Sequence, residues 1–87
     1  MSIDGDKRGG VLNDADRRVL IHLRDFGAEY PALVASNTGL HIPLVERHCQ
    51  TLAQRGLIEA VSGEIIYRIT DQGIERLEAL TDQPRKL

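Results

Sequence analysis

The sequence predicts a mainly α-helical domain with one small β-hairpin, in the order three helices, two strands and a closing helix. Three observations carry this prediction. Apolar residues recur at helical spacing in stretches opened by residues suited to a helix start and closed by glycine or a turn cluster. After Gly56 the pattern changes to two short β-rich runs on either side of a glycine-containing connection. At 87 residues the chain has room for one hydrophobic core and none for a second.

Residues 1–10, MSIDGDKRGG, are polar, charged and glycine-rich and are expected to be a disordered lead-in. The domain is expected over 11–82, with 83–87 as a tail. From Asn13 to Phe26 the apolar residues Leu12, Val19, Leu20, Leu23 and Phe26 gather on one helical face. Asn13 suits the N-cap, Asp14 and Asp16 suit the first turn, and Gly27 stops the helix. Ile21 falls on the opposite face, either as an ordinary exposed apolar residue or as part of a dimer contact. A second helix of about two turns opens at Pro31, whose fixed φ suits the first helical position, and ends at Asn37-Thr38-Gly39. The third runs from Pro43 to Arg55, with Gly56 as its stop. Strands follow over Leu57–Val61 and Ile65–Ile69, separated by Ser62-Gly63-Glu64. Thr70 caps a fourth helix from Asp71 to about Thr81, with an apolar stripe of Ile74, Leu77 and Leu80.

Composition excludes several function classes. A formal charge of −2 and a pI near 5.8 disfavour histone-like or arm-driven nucleic-acid binding, so any such affinity must come from a local face. Aromatics are limited to Phe26, Tyr30 and Tyr67, too few for a base-stacking platform for single strands or RNA. The lone Cys49 has no internal disulfide partner, no apolar run approaches the roughly 20 residues of a membrane span, and the N-terminus has no hydrophobic signal core. A reducing cytoplasm is the expected compartment. His22, His41, His48 and Cys49 lack metal-ligand spacing, since His48 and Cys49 are adjacent on a helix and point about 100° apart. Cys49 reads as a small buried core residue, His48 as lying at the core margin and His22 as lying at the edge of the first helix. The carboxylates do not converge for acid-base work and no glycine-rich phosphate loop is present, so no enzyme activity, cofactor or small-molecule ligand is expected.

The order of elements lets the two middle helices form a helix-turn-helix and the hairpin serve as a wing. The segment ALVASNTGLHIPLVERHCQTLAQRGLIE, followed by IIYRITDQGIERL, resembles the winged helix-turn-helix superfamily over roughly residues 12–80. Its closing Tyr-Arg-Ile-Thr-Asp-Gln-Gly phrase makes it most similar to small haloarchaeal phage-repressor-like proteins. The resemblance implies a three-helix core with a two-stranded wing and a C-terminal helix, and a transcriptional repressor as the function.

Independently of that resemblance, stepping the third helix at 100° per residue puts Val45, Cys49 and Leu52 on one side. Arg47, Gln50, Thr51 and Gln54 lie on the other, with Leu44 and Glu46 at the margins. The outer set can donate and accept hydrogen bonds at base edges, Arg47 to guanine, Gln50 to adenine and Glu46 from cytosine. Thr38 and His41 in the turn, Pro43 at the helix start and Arg68 on the wing complete the expected duplex-DNA contacts, with Lys7, Arg8, Arg85 and Lys86 as further cations. Over residues 31–56, Arg47 and Arg55 against Glu46 leave a net charge of only +1. The salt dependence of one subunit should therefore be shallow, and tight binding should need a homodimer formed through the fourth helix or the exposed face of the first. The alternative from another class is a winged helix that serves only as a protein–protein module. It draws on the acidic Glu64 at the wing tip, the near-neutral third helix and the apolar Ile21, Leu44 and Ile66.

Overall fold

Four helices and a hairpin follow one another in the computed structural model, which describes residues 12–61, 63 and 65–81. Expectations about residues 1–11, Ser62, Glu64, the tail from 82 onward and the side chain of Leu80 lie outside the described residues. Helix α1 (Asp14–Phe26) opens with a reciprocal cap. The Asp16 N–H donates to Asn13 Oδ1 at 2.9 Å, and the Asn13 N–H donates to Asp16 Oδ2 at 3.1 Å. Gly27 closes it, donating to the Leu23 carbonyl at 3.0 Å. Helix α2 (Pro31–Thr38) has proline in its first position and ends at Gly39, whose φ of 79° is left-handed backbone that favours glycine.

Helix α3 (Ile42–Gln54) begins one residue before the expected start, so His41 is the N-cap and Pro43 takes the second position. It also ends one residue earlier, with Arg55 as C-cap. Strands β1 (Ile58–Ala60) and β2 (Tyr67–Ile69) pair antiparallel, Ile58 opposite Ile69 and Ala60 opposite Tyr67. They are shorter than the runs 57–61 and 65–69. Leu57 is drawn to the end of α3, its N–H donating to the Leu52 carbonyl at 3.0 Å, while Ile65 is left 68% exposed beyond the last rung. The sequence pattern does not show a further rung: Glu29 and Tyr67 exchange both backbone hydrogen bonds at 3.0 Å, which ties the α1–α2 connection to the wing. Thr70 caps helix α4 (Asp71–Thr81) as expected, accepting from the Gly73 N–H at 3.1 Å, and its hydroxyl donates to the Gly56 carbonyl at 2.7 Å. The whole is a winged helix-turn-helix.

The core joins the four helices and β1: Val19, Leu20 and Leu23 of α1, Val34 of α2, Val45, Cys49 and Leu52 of α3, Ile58 of β1 and Leu77 of α4, with Tyr67 and Ile69 of β2 partly buried against it. Two expectations about α1 are corrected, and a third, full exposure of Ile21, is narrowed. Phe26 is 71% exposed, because it is the last helical residue, and the His22 ring stacks on it at 4.7 Å. His22 is buried and not at an edge, with Nε2 3.8 Å from a Glu29 carboxylate oxygen. Ile21 is partly buried against the core, because α2 packs on α1 and widens its covered arc. Where α4 meets the hairpin the approach is closest at Gly73. A Cβ there would lie 2.2 Å from the Leu57 carbonyl oxygen and 2.6 Å from Ile69 Cγ1.

Candidate nucleic-acid interface

Helix α3 divides cleanly into two sides. Val45, Cys49 and Leu52 are buried and hold the helix against α1 and α2, while Glu46, Arg47, Gln50, Thr51 and Gln54 are all exposed. Residues 47, 50, 51 and 54 recur at three- and four-residue spacing and so form one stripe along the helix. Arg47 makes no ion pair among the described residues, leaving its five N–H donors free for an acceptor fork. The Thr51 hydroxyl is turned back onto the Arg47 carbonyl at 3.2 Å.

At the start of α3, His41 and Pro43 are exposed and Leu44 is half-buried. His41 makes no side-chain hydrogen bond to the helix it precedes, and its side chain is exposed. Thr38 sits differently. Its hydroxyl donates to the Val34 carbonyl at 2.7 Å and its carbonyl accepts from Arg18 at 3.2 Å, so its polar atoms are occupied in closing α2. Arg68 lies on the exposed side of the wing but is engaged by the residue across from it in the ladder, Nε to Glu59 Oε2 at 2.7 Å. Arg55, counted above as surface charge, is half-buried, and its Nε and Nη2 have no hydrogen-bond partner among the described residues. Arg47 is therefore the cation that α3 presents.

Between α3 and the wing runs an open cleft of about 250 Å³ lined by Pro31, Glu46, Gln50, Ile65 and Tyr67. Helical periodicity sets Gln50 on the outer side of α3 and Glu46 at its margin but gives no sign of a cleft shared with Pro31, Ile65 and Tyr67, which the Glu29–Tyr67 rung draws toward the wing. A second residue pair lies behind the helix. His48 Nδ1 meets Asp16 Oδ1 at 2.6 Å, and the other oxygen of that carboxylate is held by the α1 cap. With a carboxylate opposite, Nδ1 carries the proton and donates. The contact spans 32 residues of sequence and fixes the roll of α3 on α1. Cys49 is 1% exposed, and its thiol is pushed up from 9.0 to about 11, first by burial and then by the Glu46 carboxylate. It is an inert core residue at neutral pH. Among the described residues no group of three or more potential ligands could hold a metal ion, and no helix is long and apolar enough to cross a membrane.

Comparison with known proteins places this geometry. A family model described as an uncharacterized protein conserved in archaea (DUF2250) matches residues 11–79. The chain belongs to that family. No curated protein sequence matches it. Among solved structures, this DUF2250 chain is similar to BpsR of Bordetella bronchiseptica, whose DNA binding is regulated by 6-hydroxynicotinic acid. That likeness has a TM-score of 0.75 and 25% identity over 83% of the present chain and 54% of BpsR. It is also similar to NMB1585, a MarR family regulator from Neisseria meningitidis, with a TM-score of 0.67 and 28% identity over 79% of the present chain and 51% of that one. The DUF2250 chain spans about half the length of each. The likeness spans most of the chain, so the chain shares the winged helix-turn-helix architecture of these two proteins.

Proposed function

We propose that this chain is a sequence-specific double-stranded-DNA-binding transcriptional regulator, acting as a repressor and a homodimer, with residues 11–82 as the binding domain. The observation that carries the reading is the exposed polar stripe Arg47, Gln50, Thr51 and Gln54 on α3. It lies opposite a fully buried side, within a fold similar to that of a protein whose DNA binding is regulated by 6-hydroxynicotinic acid and to that of a MarR family regulator. The stripe enters a major groove, where Arg47 suits guanine, Gln50 suits adenine and Glu46 accepts from a cytosine amino group. His41, Pro43 and Leu44 meet the groove edge and Arg68 stands nearest the phosphates, while Thr38, whose hydroxyl and carbonyl are engaged in closing α2, is left out of the contact set. Repression follows from the likeness to phage-repressor-like proteins and from simple occlusion, which needs only the bound protein.

The test is selection of bound duplexes from a random pool, repeated with Arg47→Ala and Gln50→Ala. Each change should cost about 1–3 kcal/mol at the preferred sequence and relax the preference at one position. Unaltered sequence and affinity in both variants would refute the assignment. A second reading, a winged helix used only between proteins, is favoured by Ile65 at 68% exposure and by the neutralised Arg68. It predicts no binding to any duplex at low salt.

A further inference from the structure

We infer that the outer face of α1 is an interface with a second copy of this chain, packed antiparallel about a two-fold axis that passes between Ile21 and His22. The face is the side of α1 turned away from α3. Asp16, which meets His48 of α3, and Arg18 are about 200° apart around the helix. Arg18, Ile21, His22 and Asp25 follow at the three-, four- and seven-residue spacing of a helix–helix seam, and together with Phe26, Asn37 and Thr38 they line an open groove of about 280 Å³. The groove is mainly apolar at its floor and charged at its two ends.

The charges identify the occupant. Arg18 and Asp25 sit seven residues apart on the same face, are 49% and 47% exposed, and have opposite sign. A two-fold axis between residues 21 and 22 puts Arg18 of one copy opposite Asp25 of the other, and Asp25 opposite Arg18. Both ends are thus matched by the same operation, as an isologous contact requires. The present partners of these groups are exposed neighbours on the same helix, Asp14 for Arg18 Nε and Arg24 for Asp25, together with the Thr38 carbonyl that accepts from Arg18 Nη1, and a guanidinium with five donors or a carboxylate can hold a further partner at once. Phe26, at 71% exposure the largest unburied side chain beside this groove, is covered by the same packing. Because the groove is walled by α1 and the end of α2 and includes no residue of α3, occupancy leaves the stripe on α3 open.

The test is sedimentation velocity of the full chain without DNA, so its failure would leave the DNA-binding reading standing. Wild-type chain should sediment as a species of twice 9.7 kDa at chain concentrations up to about 1 mM. Arg18→Glu and Asp25→Arg should each weaken self-association at least about tenfold, because each turns two attractive pairs into two repulsive ones. An equimolar mixture of the two variants restores opposite charges at both ends and should recover association to within about threefold of wild type. Phe26→Ser, at a position that contributes nothing to the core, should weaken association at least about fivefold with unchanged circular dichroism. It keeps the proposal testable if Arg18→Glu, which sets a second carboxylate beside Asp14, unfolds α1. A monomeric wild type, unweakened variants, or a mixture no tighter than its components would each overturn the interface.

Discussion

Removing the Asp16 carboxylate tests how α3 is held in place. The group is 5% exposed and its two oxygens are both used, one by the Asn13 N–H at 3.1 Å and one by His48 Nδ1 at 2.6 Å. In Asp16→Ala the reciprocal cap loses one of its two bonds, at a cost of about 0.5–1 kcal/mol. The half-buried His48 N–H also loses a charge-assisted acceptor, at about 1.5–3 kcal/mol. The expected loss is about 2–4 kcal/mol, out of the roughly 4–13 kcal/mol typical of a domain this size. Urea unfolding followed by circular dichroism measures it. With a slope of about 1 kcal/mol per molar, the midpoint should fall by about 2–4 M. A double-mutant cycle with His48→Ala should return about 1–3 kcal/mol of coupling. A loss under about 0.5 kcal/mol, or coupling indistinguishable from zero, would show that α3 is docked by its apolar side alone.

Other expectations follow from the same structure. Gly73→Ala forces a methyl into the Leu57 carbonyl and the Ile69 side chain and should destabilise the fold by at least about 2 kcal/mol, although alanine is the better helix former, as thermal melting would show. The Cys49 thiol should resist alkylation at pH 8 unless the chain unfolds, and labelling that outruns unfolding would contradict its burial. Since the folded thiol titrates near 11 against 9.0 for an ordinary one, its contribution to stability is intact below pH 9 and should be lost as pH rises toward 11, in urea midpoints measured across that range. Glu59→Ala releases Arg68 from its 2.7 Å ion pair, so non-specific duplex affinity should rise and the slope of log affinity against log salt should steepen by about one unit per subunit. An unchanged slope would place the wing away from the backbone.

Local signals in the sequence were enough to order the elements, because the groups that start and stop them act within a few residues. Asn13, Pro31, Pro43, Gly39, Gly56 and Thr70 mark ends that the structure places within a residue of expectation. The buried and exposed sides of α3 were equally legible, since helical periodicity alone separates Val45, Cys49 and Leu52 from Arg47, Gln50 and Gln54. What escaped depends on which distant residues meet. Periodicity put Phe26 with the core but could not show that the helix end leaves it 71% exposed. A lone rung between Glu29 and Tyr67 leaves no alternating pattern. The partners of Arg68 and His48 are set by strand register and by the packing of α1 on α3, neither of which spacing encodes. These polar pairings shape the candidate interface most, since one withdraws a cation from it and the other fixes the helix that carries it.

The rung between Glu29 and Tyr67 also decides which border of the small sheet is left open. With β2 flanked on both sides, the border without a neighbouring strand among the described residues is that of β1. Such a border is a template onto which another chain can add and from which fibrils can grow. Here it is only three residues long and carries Glu59 at its centre, an ionised side chain that repels stacking of identical copies. A border this short, with a charged pair across its one ladder, is a poor template for such growth.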